Sequence, residues 1–163
     1  MASNLVSEQE LFFTTAEVKL KNRFRLIVDG IPSFIIRVGA RPKMKSNVIT
    51  LPHINVDRKV KGKTTWDPIS ITLTDYIVPS GAQAVMEWIR LGHESVTGRD
   101  GYADFYKKDV IINTLGPVGD IVEQWLLKGA FPSDADFGDM DWSKDEPMEI
   151  TLTLNYDYAI LEF

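Results

Sequence analysis

Apolar and polar residues alternate at period two through most of this chain, and that period constrains the fold more than any other feature. Phe24, Leu26 and Val28 alternate with Arg23, Arg25 and Ile27; Asp29-Gly30 then gives a turn signal, and Phe34, Ile36 and Val38 follow. Residues 22–39 therefore read as a β-hairpin with one apolar face. Ile69, Ile71 and Leu73 alternate with Ser70, Thr72 and Thr74 in a strand over 66–74. A strand over 106–115 centres on Val110, Ile111 and Ile112, and Gly116-Pro117 turns it. Ile121, Glu123, Trp125 and Leu127 alternate with Val122, Gln124, Leu126 and Lys128 in a strand over 120–131. Ile150, Leu152 and Leu154 mark the last strand, over 148–161. Side chains two apart share one face of a strand, so each run buries one face.

One segment breaks the period. Ala82, Val85, Met86 and Ile89 fall at i, i+3, i+4 and i+7, which is one stripe of a helix over about 80–91. Ser80 with Gln83 makes a capping box, and Gly92 suits the C′ position. Trp88 lies near the stripe's edge, and the stripe is expected to face a core. Seven or eight strands, one helix and no βαβ rhythm imply a mainly β fold: an antiparallel β-barrel or sandwich with one short flanking α-helix. Residues 1–163 read as a single domain of ordinary globular composition. Residues 1–16 form an N-terminal arm carrying apolar Leu11, Phe12 and Phe13.

Two stretches stand outside this pattern. Residues 40–66 are polar and basic, punctuated by Pro42, Pro52 and Gly62, and too long for an idle loop. Short β stretches fit around 47–51 and 54–60, and Val48, Ile49, Leu51, Ile54 and Val56 are too apolar for plain solvation, which suggests an arm that binds something. Residues 132–147 form an acidic loop. The formal net charge of −5 hides this split. Residues 17–66 hold twelve Lys and Arg against Glu17, Asp29 and Asp57, a net +9, whereas residues 67–163 hold six basic and eighteen acidic residues, a net −12. Such a chain meets a partner or a copy of itself by charge complementarity, or pairs its charges within the fold.

Composition excludes much chemistry. With no Cys there is no disulfide, thiolate metal site or cysteine nucleophile, and two His leave little room for a triad or a His-rich metal site. Apolar runs fall short of a membrane span and the start lacks a signal-peptide core, so a soluble protein of a reducing compartment, without membrane anchoring, is expected. Asp134, Asp136, Asp139, Asp141, Asp145 and Glu146 invite a calcium reading. Counted from Asp134, however, Gly138 falls at position 5 and Asp139 at position 6, so the EF-hand register fails. Asp136-Phe137-Gly138 has no kinase context. No phosphate-binding Gly loop and no serine elbow occur, and His53 and His93 have no evident nucleophile beside them. Glu123 is the one acid in an apolar context, either buried or lining a solvated channel. Tight DNA binding is not expected at pI near 5.0. No cofactor, metal or catalytic residue is expected.

Two stretches carry a family likeness. The first is Trp66-Asp67-Pro68-Ile69-Ser70-Ile71-Thr72-Leu73-Thr74-Asp75, followed by the helix with Met86-Glu87-Trp88. The second is Leu127-Lys128-Gly129-Ala130-Phe131-Pro132, an acidic loop with Asp141-Trp142, then Glu149-Ile150-Thr151-Leu152-Thr153-Leu154-Asn155-Tyr156-Asp157. In order, spacing and total length, residues 20–158 resemble the tail tube proteins of contractile-tailed bacteriophages. The tubes of type VI secretion and extracellular injection systems share that fold.

The resemblance implies a structural protein and not an enzyme. Subunits form hexameric rings whose strands join into one β-barrel around a channel. Rings stack into a tube inside a sheath, and the tube conducts DNA and pierces the host envelope. Implied partners are further copies of the chain, the sheath, baseplate and tail terminator proteins, a tape measure protein in the lumen, and DNA in passage. The implied place is the virion tail, assembled in the host cytoplasm. On this reading the loop 40–66 is a basic inter-ring element, with Leu11, Phe12, Lys43, Lys45, Leu51, Ile54, Arg58, Lys59, Lys61 and Lys63 in the contact. A conduit for DNA should repel phosphate, so Asp109, Asp120 and Glu123 are expected on the lumen wall. Asp134, Asp136 and Asp139 are expected to face the sheath.

Overall fold

The computed structural model describes residues 16–163. Nine strands run in chain order: β1 Phe24–Val28, β2 Ile36–Val38, β3 Lys43–His53, β4 Val56–Asp67, β5 Ile69–Thr74, β6 Lys108–Leu115, β7 Ile121–Asp136, β8 Glu149–Asn155 and β9 Tyr158–Leu161. The helices are α1, Gly81–Gly92, and a single turn, α2, Ala103–Tyr106. All pairings are antiparallel. Seven strands join in one sheet of order β1-β6-β7-β8-β5-β2, with β9 also on β7, while β3 and β4 pair only with each other. The fold is thus mainly β and barrel-like with a flanking helix, as the alternation implies.

The sixteen-residue β7 belongs to both halves of this sheet. Its first part pairs β6 on one side and β9 on the other; its second part, from Phe131, pairs β8. The change of partner falls at Gly129, which has φ of 66°. Only glycine takes that conformation without strain, and it lets the strand turn the corner between the two layers. The chain turns the same corner again between β8 and β9, where Asp157 N–H donates to the Lys128 carbonyl at 2.9 Å. Lys107 Nζ holds the Asp157 carboxylate at 2.9 and 3.1 Å.

The core lies between the two layers. Register places Leu26 and Val28 of β1, Val110 and Ile112 of β6, and Leu127 of β7 on one inner face. Ile69, Ile71 and Leu73 of β5 with Ile150, Leu152 and Leu154 of β8 form the other, and all these residues are buried. Each contributes roughly 1.5–3 kcal/mol by leaving water.

The expected hairpin over 22–39 does not form. The turn is real: Gly30 has φ of 86° and Ile31 N–H donates to Val28 O at 3.2 Å. A 3-10 turn over Ser33–Ile35 then redirects the chain, so β1 pairs β6 and β2 pairs β5, at opposite ends of the sheet path. Period two breaks at that turn, leaving Phe34 and Val38 exposed while Ile31, Ile35 and Ile36 are buried. The strand expected over 66–74 divides at Pro68, and the last strand divides at Tyr156-Asp157.

Helix α1 starts as its cap predicts, with Ser80 Oγ accepting from Gln83 N–H at 3.4 Å. Asp75 Oδ1 adds a second cap, accepting from Gly81 and Ala82 N–H at 2.9 and 3.3 Å. Gly92 is the last helical residue and His93 the C-cap. The buried stripe is rotated from the expected one: Gly81, Val85 and Trp88 lie at its centre. Trp88 Nε1–H donates to the Tyr106 carbonyl at 2.7 Å, which satisfies the indole and draws its ring inward.

A Cβ at Gly129 would stand 2.3 Å from Asp157 Oδ2, whereas one at Gly119, with φ of 85°, would meet nothing within 4 Å. Gly129→Ala should therefore lower stability by about 1–3 kcal/mol. Gly119→Ala should lose less. Denaturant midpoints of the two variants check this, and equal losses would remove the corner at Gly129 as the cause.

Candidate functional site

Residues 40–66 are not a loop but most of a long β-hairpin. Ten residue pairs run from Lys43↔Asp67 to His53↔Val56, with a bulge between Ser46 and Val48 and a turn at Ile54-Asn55. At about 3.3 Å per residue its eleven- to twelve-residue strands reach some 36 Å. Residues 48–61 are exposed on both faces, so the hairpin does not lie on its own barrel. Register sorts the faces beyond the bulge. Ile49↔Val60, Leu51↔Arg58 and His53↔Val56 make one largely apolar face, and Val48↔Lys61, Thr50↔Lys59 and Pro52↔Asp57 make a polar, basic one. Lys43, Lys45, Arg58, Lys59, Lys61 and Lys63 thus all stand on a single projecting element, along with Leu51 and Ile54, the latter 90% exposed. Both outer strand edges leave backbone donors and acceptors without strand partners among the described residues, which is a template for pairing or packing with another chain. Leu11 and Phe12, expected in the same contact, lie outside the described residues.

The hairpin's root is tied to the barrel in two ways. Trp66 packs on Tyr156, with ring centroids 6.2 Å apart. Arg41, just before β3, reaches Glu123 Oε1 at 3.5 Å. Glu123 is only 5% exposed, with Lys19 paired to its other oxygen and Trp125 Nε1–H donating to Oε1 at 2.6 Å. Glu123 therefore lines no solvated wall: register turns it inward with Trp125 and Leu127. The hydrogen bond from Lys19 holds its carboxyl below the usual carboxylate range, against the upward push of burial, and Trp125 and Arg41 reinforce it. Period two revealed the inward face, but Lys19 and Arg41 are far from Glu123 in sequence and no local pattern joins them to it.

Of the two acids expected beside Glu123 on a lumen wall, Asp109 stands on β6 and Asp120 just before β7, and both are exposed. Asp109 is not a free charge, because Lys128 Nζ meets it at 2.7 Å, and the hydrogen bond to Asp109 raises the pKa of Lys128. Asp120 closes the tight turn after β6, its backbone carbonyl accepting from Gly116 N–H at 2.7 Å. The outer face of β1, β6, β7 and β9 carries one apolar row in register, Ile27, Ile111, Leu126 and Ile160.

The expected acidic loop over 132–147 is shorter. Asp134 and Asp136 stand on β7, opposite Thr153 and Thr151, and Asp139 lies in the loop beyond. Asp136 Oδ1 accepts from Gly138 N–H at 2.9 Å, and Asp141 Oδ1 accepts from Ser143 N–H at 3.0 Å and its hydroxyl at 2.8 Å. These carboxylates shape turns. The Ser143 backbone hydrogen bond lowers the pKa of Asp141. Among the described residues no cluster of three or more His, Asp or Glu is placed to hold a metal ion. No described helix is long and apolar enough to cross a membrane. His93 Nδ1 meets Asp100 Oδ1 at 2.7 Å on an exposed surface, which pins the turn after α1.

No protein-family model matches the chain, and no curated protein matches it by sequence. Solved structures match over nearly the whole fold. A chain in a cryo-EM structure of the sheath/tube terminator of an extracellular contractile injection system, PVC, superposes with a TM-score of 0.74 at 16% identity, covering 91% of this chain and 99% of that one. A chain in the tube-terminating cap of the anti-feeding prophage gives 0.71 at 19% identity, covering 99% of each. One in the PVC sheath-tube complex gives 0.63 at 15% identity, covering 97% and 99%. The chain shares the fold found in the tube, cap and terminator assemblies of contractile machines.

Glu123→Gln should cost roughly 1–3 kcal/mol at neutral pH, towards the lower end because Lys19 and Arg41 are more than half exposed. A carboxylate depressed by folding stabilises fully above its unfolded pKa of about 4.3. That contribution is lost as pH falls through the lower folded value. The gap between wild type and variant should therefore close below about pH 4. Denaturant unfolding at several pH values measures it, and a gap independent of pH would remove the ion-pair account.

Proposed function

We propose that this chain is a structural subunit of the tube of a contractile machine, forming hexameric rings that stack into a hollow tube. One observation carries the reading: a barrel-like fold shared with tube and terminator assemblies projects a hairpin that none of the described residues covers. The strand edges and the hairpin are surfaces that a lone subunit leaves unsatisfied. A heterologous contact repeated by rotation closes into a ring and removes sheet edges. On this reading residues 1–163 act as one tube domain, and the chain has an assembly role in place of a catalytic one.

The finer assignments belong to the same proposal. The tube is that of a bacteriophage tail; it conducts DNA, pierces the host envelope and is assembled in the host cytoplasm. Its partners are a sheath, a baseplate, a tail terminator and a tape measure protein in the lumen. Asp109 and Asp120 face the channel, and Asp134 and Asp136, on the exposed end of β7, face the sheath. The basic hairpin makes the contact between rings, with Leu11 and Phe12 of the arm beside it. The second reading is a tube or tube cap of an extracellular injection machine, and it is favoured by the PVC and anti-feeding prophage structures. Capsid and terminase genes beside this one support the phage reading; their absence supports the other.

Purified protein at high concentration should form rings or tubes visible by negative-stain electron microscopy. A strictly monomeric protein would overturn the proposal. Raising salt from about 0.15 to about 1 M shortens the screening length from about 8 to 3 Å, and tubes should then shorten or fall into rings. Lys59→Glu with Lys61→Glu should do the same at low salt. Tube length indifferent to both would leave the apolar Leu51, Ile54 and Val56 as the stacking contact.

A further inference from the structure

The hairpin and the loop over residues 137–148 leave opposite ends of the same strand pair. β5 enters at Ile69, opposite Leu154, with only Pro68 between it and the hairpin's last residue, Asp67. β5 leaves at Thr74, opposite Glu149, directly after the loop's last residue, Met148. Six residues of strand separate the two features by about 20 Å.

The loop end is apolar as well as acidic. Phe34 and Tyr76 pack there in an exposed pair, with ring centroids 5.9 Å apart, and Ile77 is 97% exposed. Asp75 N–H donates to the Met148 carbonyl at 2.9 Å, which fastens this patch to the loop. A groove of about 570 Å³ opens between Arg37 and the loop, lined by Asp139, Met140, Asp141, Glu146 and Met148. Met140 is 86% exposed, and Trp142 stands fully in solvent. Residues 134–149 hold seven acids against Lys144 alone. Arg37 offsets only one of them, by pairing with Glu149. An exposed patch of large apolar side chains rimmed by charge marks a contact surface.

We propose that this groove receives the tip of the β3–β4 hairpin of a second copy, stacked head to tail. The inference rests on the tube reading and names the surface on which the hairpin docks. The complementarity has two parts. The tip offers exposed Leu51, Ile54 and Val56 to Met140, Met148 and the Phe34–Tyr76 pair, and Lys59 and Lys61, on the basic face, stand behind the tip to meet Asp139 and Asp141. Asp139, grouped with the sheath-facing acids by sequence, is then a contact between copies. The chain's own hairpin is not the occupant, because the tip is exposed on both faces and emerges at the other end of the strands. Donor and receptor at opposite ends form a heterologous contact that repeats along the strand direction without closing, which is the geometry of a growing tube. The charged rim sets register and speeds encounter, and the apolar tip supplies the buried area.

The absence of Cys makes the test direct. Ile54→Cys and Met140→Cys are both at exposed positions, so neither should disturb folding. Mixed under assembly conditions and treated with a short bismaleimide, the two single variants should give a covalent dimer, and the double variant should give a ladder of multimers. Each single variant alone should stay uncrosslinked. Tubes that form normally with no link between 54 and 140 would overturn this inference and leave the tube proposal standing. No assembly by any variant or by wild type would overturn both. As a second arm, Asp139→Lys with Asp141→Lys should restore tubes lost in Lys59→Glu with Lys61→Glu. Tubes left unrestored by this exchange, in a doubly reversed protein that still melts like wild type, would count equally against the pairing.

Discussion

A single strand serves both layers of this protein, and the rest of the structure follows from how it does so. β7 pairs β6 and β9 over its first part and β8 over its second. A strand can change layers only where its backbone bends, and the bend falls at Gly129, in a conformation that side chains disfavour. Because the strand turns there, Leu127 faces Val110 across β6 on one side of the corner, and Ala135 faces Leu152 across β8 on the other. The corner brings Lys107 to Asp157 and lets β9 return along β7. Near the start of β7, Glu123 gathers Lys19, Arg41 and Trp125, which fixes the segment entering the hairpin against the barrel.

What this scaffold leaves unsatisfied points to its use. Among the described residues no His, Asp or Glu cluster is placed to hold a metal ion, and the basic and acidic segments both stand on projections. At one end of β5 and β8 a basic, two-faced hairpin stands clear of the barrel; at the other an acidic loop carries exposed Met140 and Trp142. Apolar surface of this kind is costly in water and favours a partner. Opposite charge at opposite ends favours a partner identical to the chain itself. The fold itself is the one found in tube and cap assemblies.

Much of the fold could be read from local pattern. The strands centred on Ile71, Ile112, Leu127 and Leu152 show clean alternation because each has one buried face, and Ser80 marks the helix start because its hydroxyl meets an orphan backbone donor. The misreadings share a cause. Residues 22–39 look like a hairpin because turn chemistry and apolar content are local, whereas the choice of partner strand is not; the 3-10 turn at Ser33–Ile35 sends β2 to β5. The basic segment reads as a loop with short β stretches because its hairpin has no buried face in the lone subunit, and Val48 and Pro52 on the basic face with Arg58 on the apolar one blur the alternation. Trp88 takes the centre of the helix stripe because its indole finds the Tyr106 carbonyl, eighteen residues away.

The sequence by itself determined the class of fold, the apolar faces, the position of the helix, the lack of thiol chemistry and the separation of basic from acidic segments. These are local or additive properties, set by side-chain period, by cap residues and by counting. Tertiary structure alone decided which strands pair, where β7 turns its corner, that Glu123 is buried on an ion-pair network, and that the basic hairpin and the acidic loop occupy opposite ends of one strand pair. Each of these depends on residues distant in the chain competing for the same backbone hydrogen bonds and the same buried volume, and only the packing of the two layers resolves that competition.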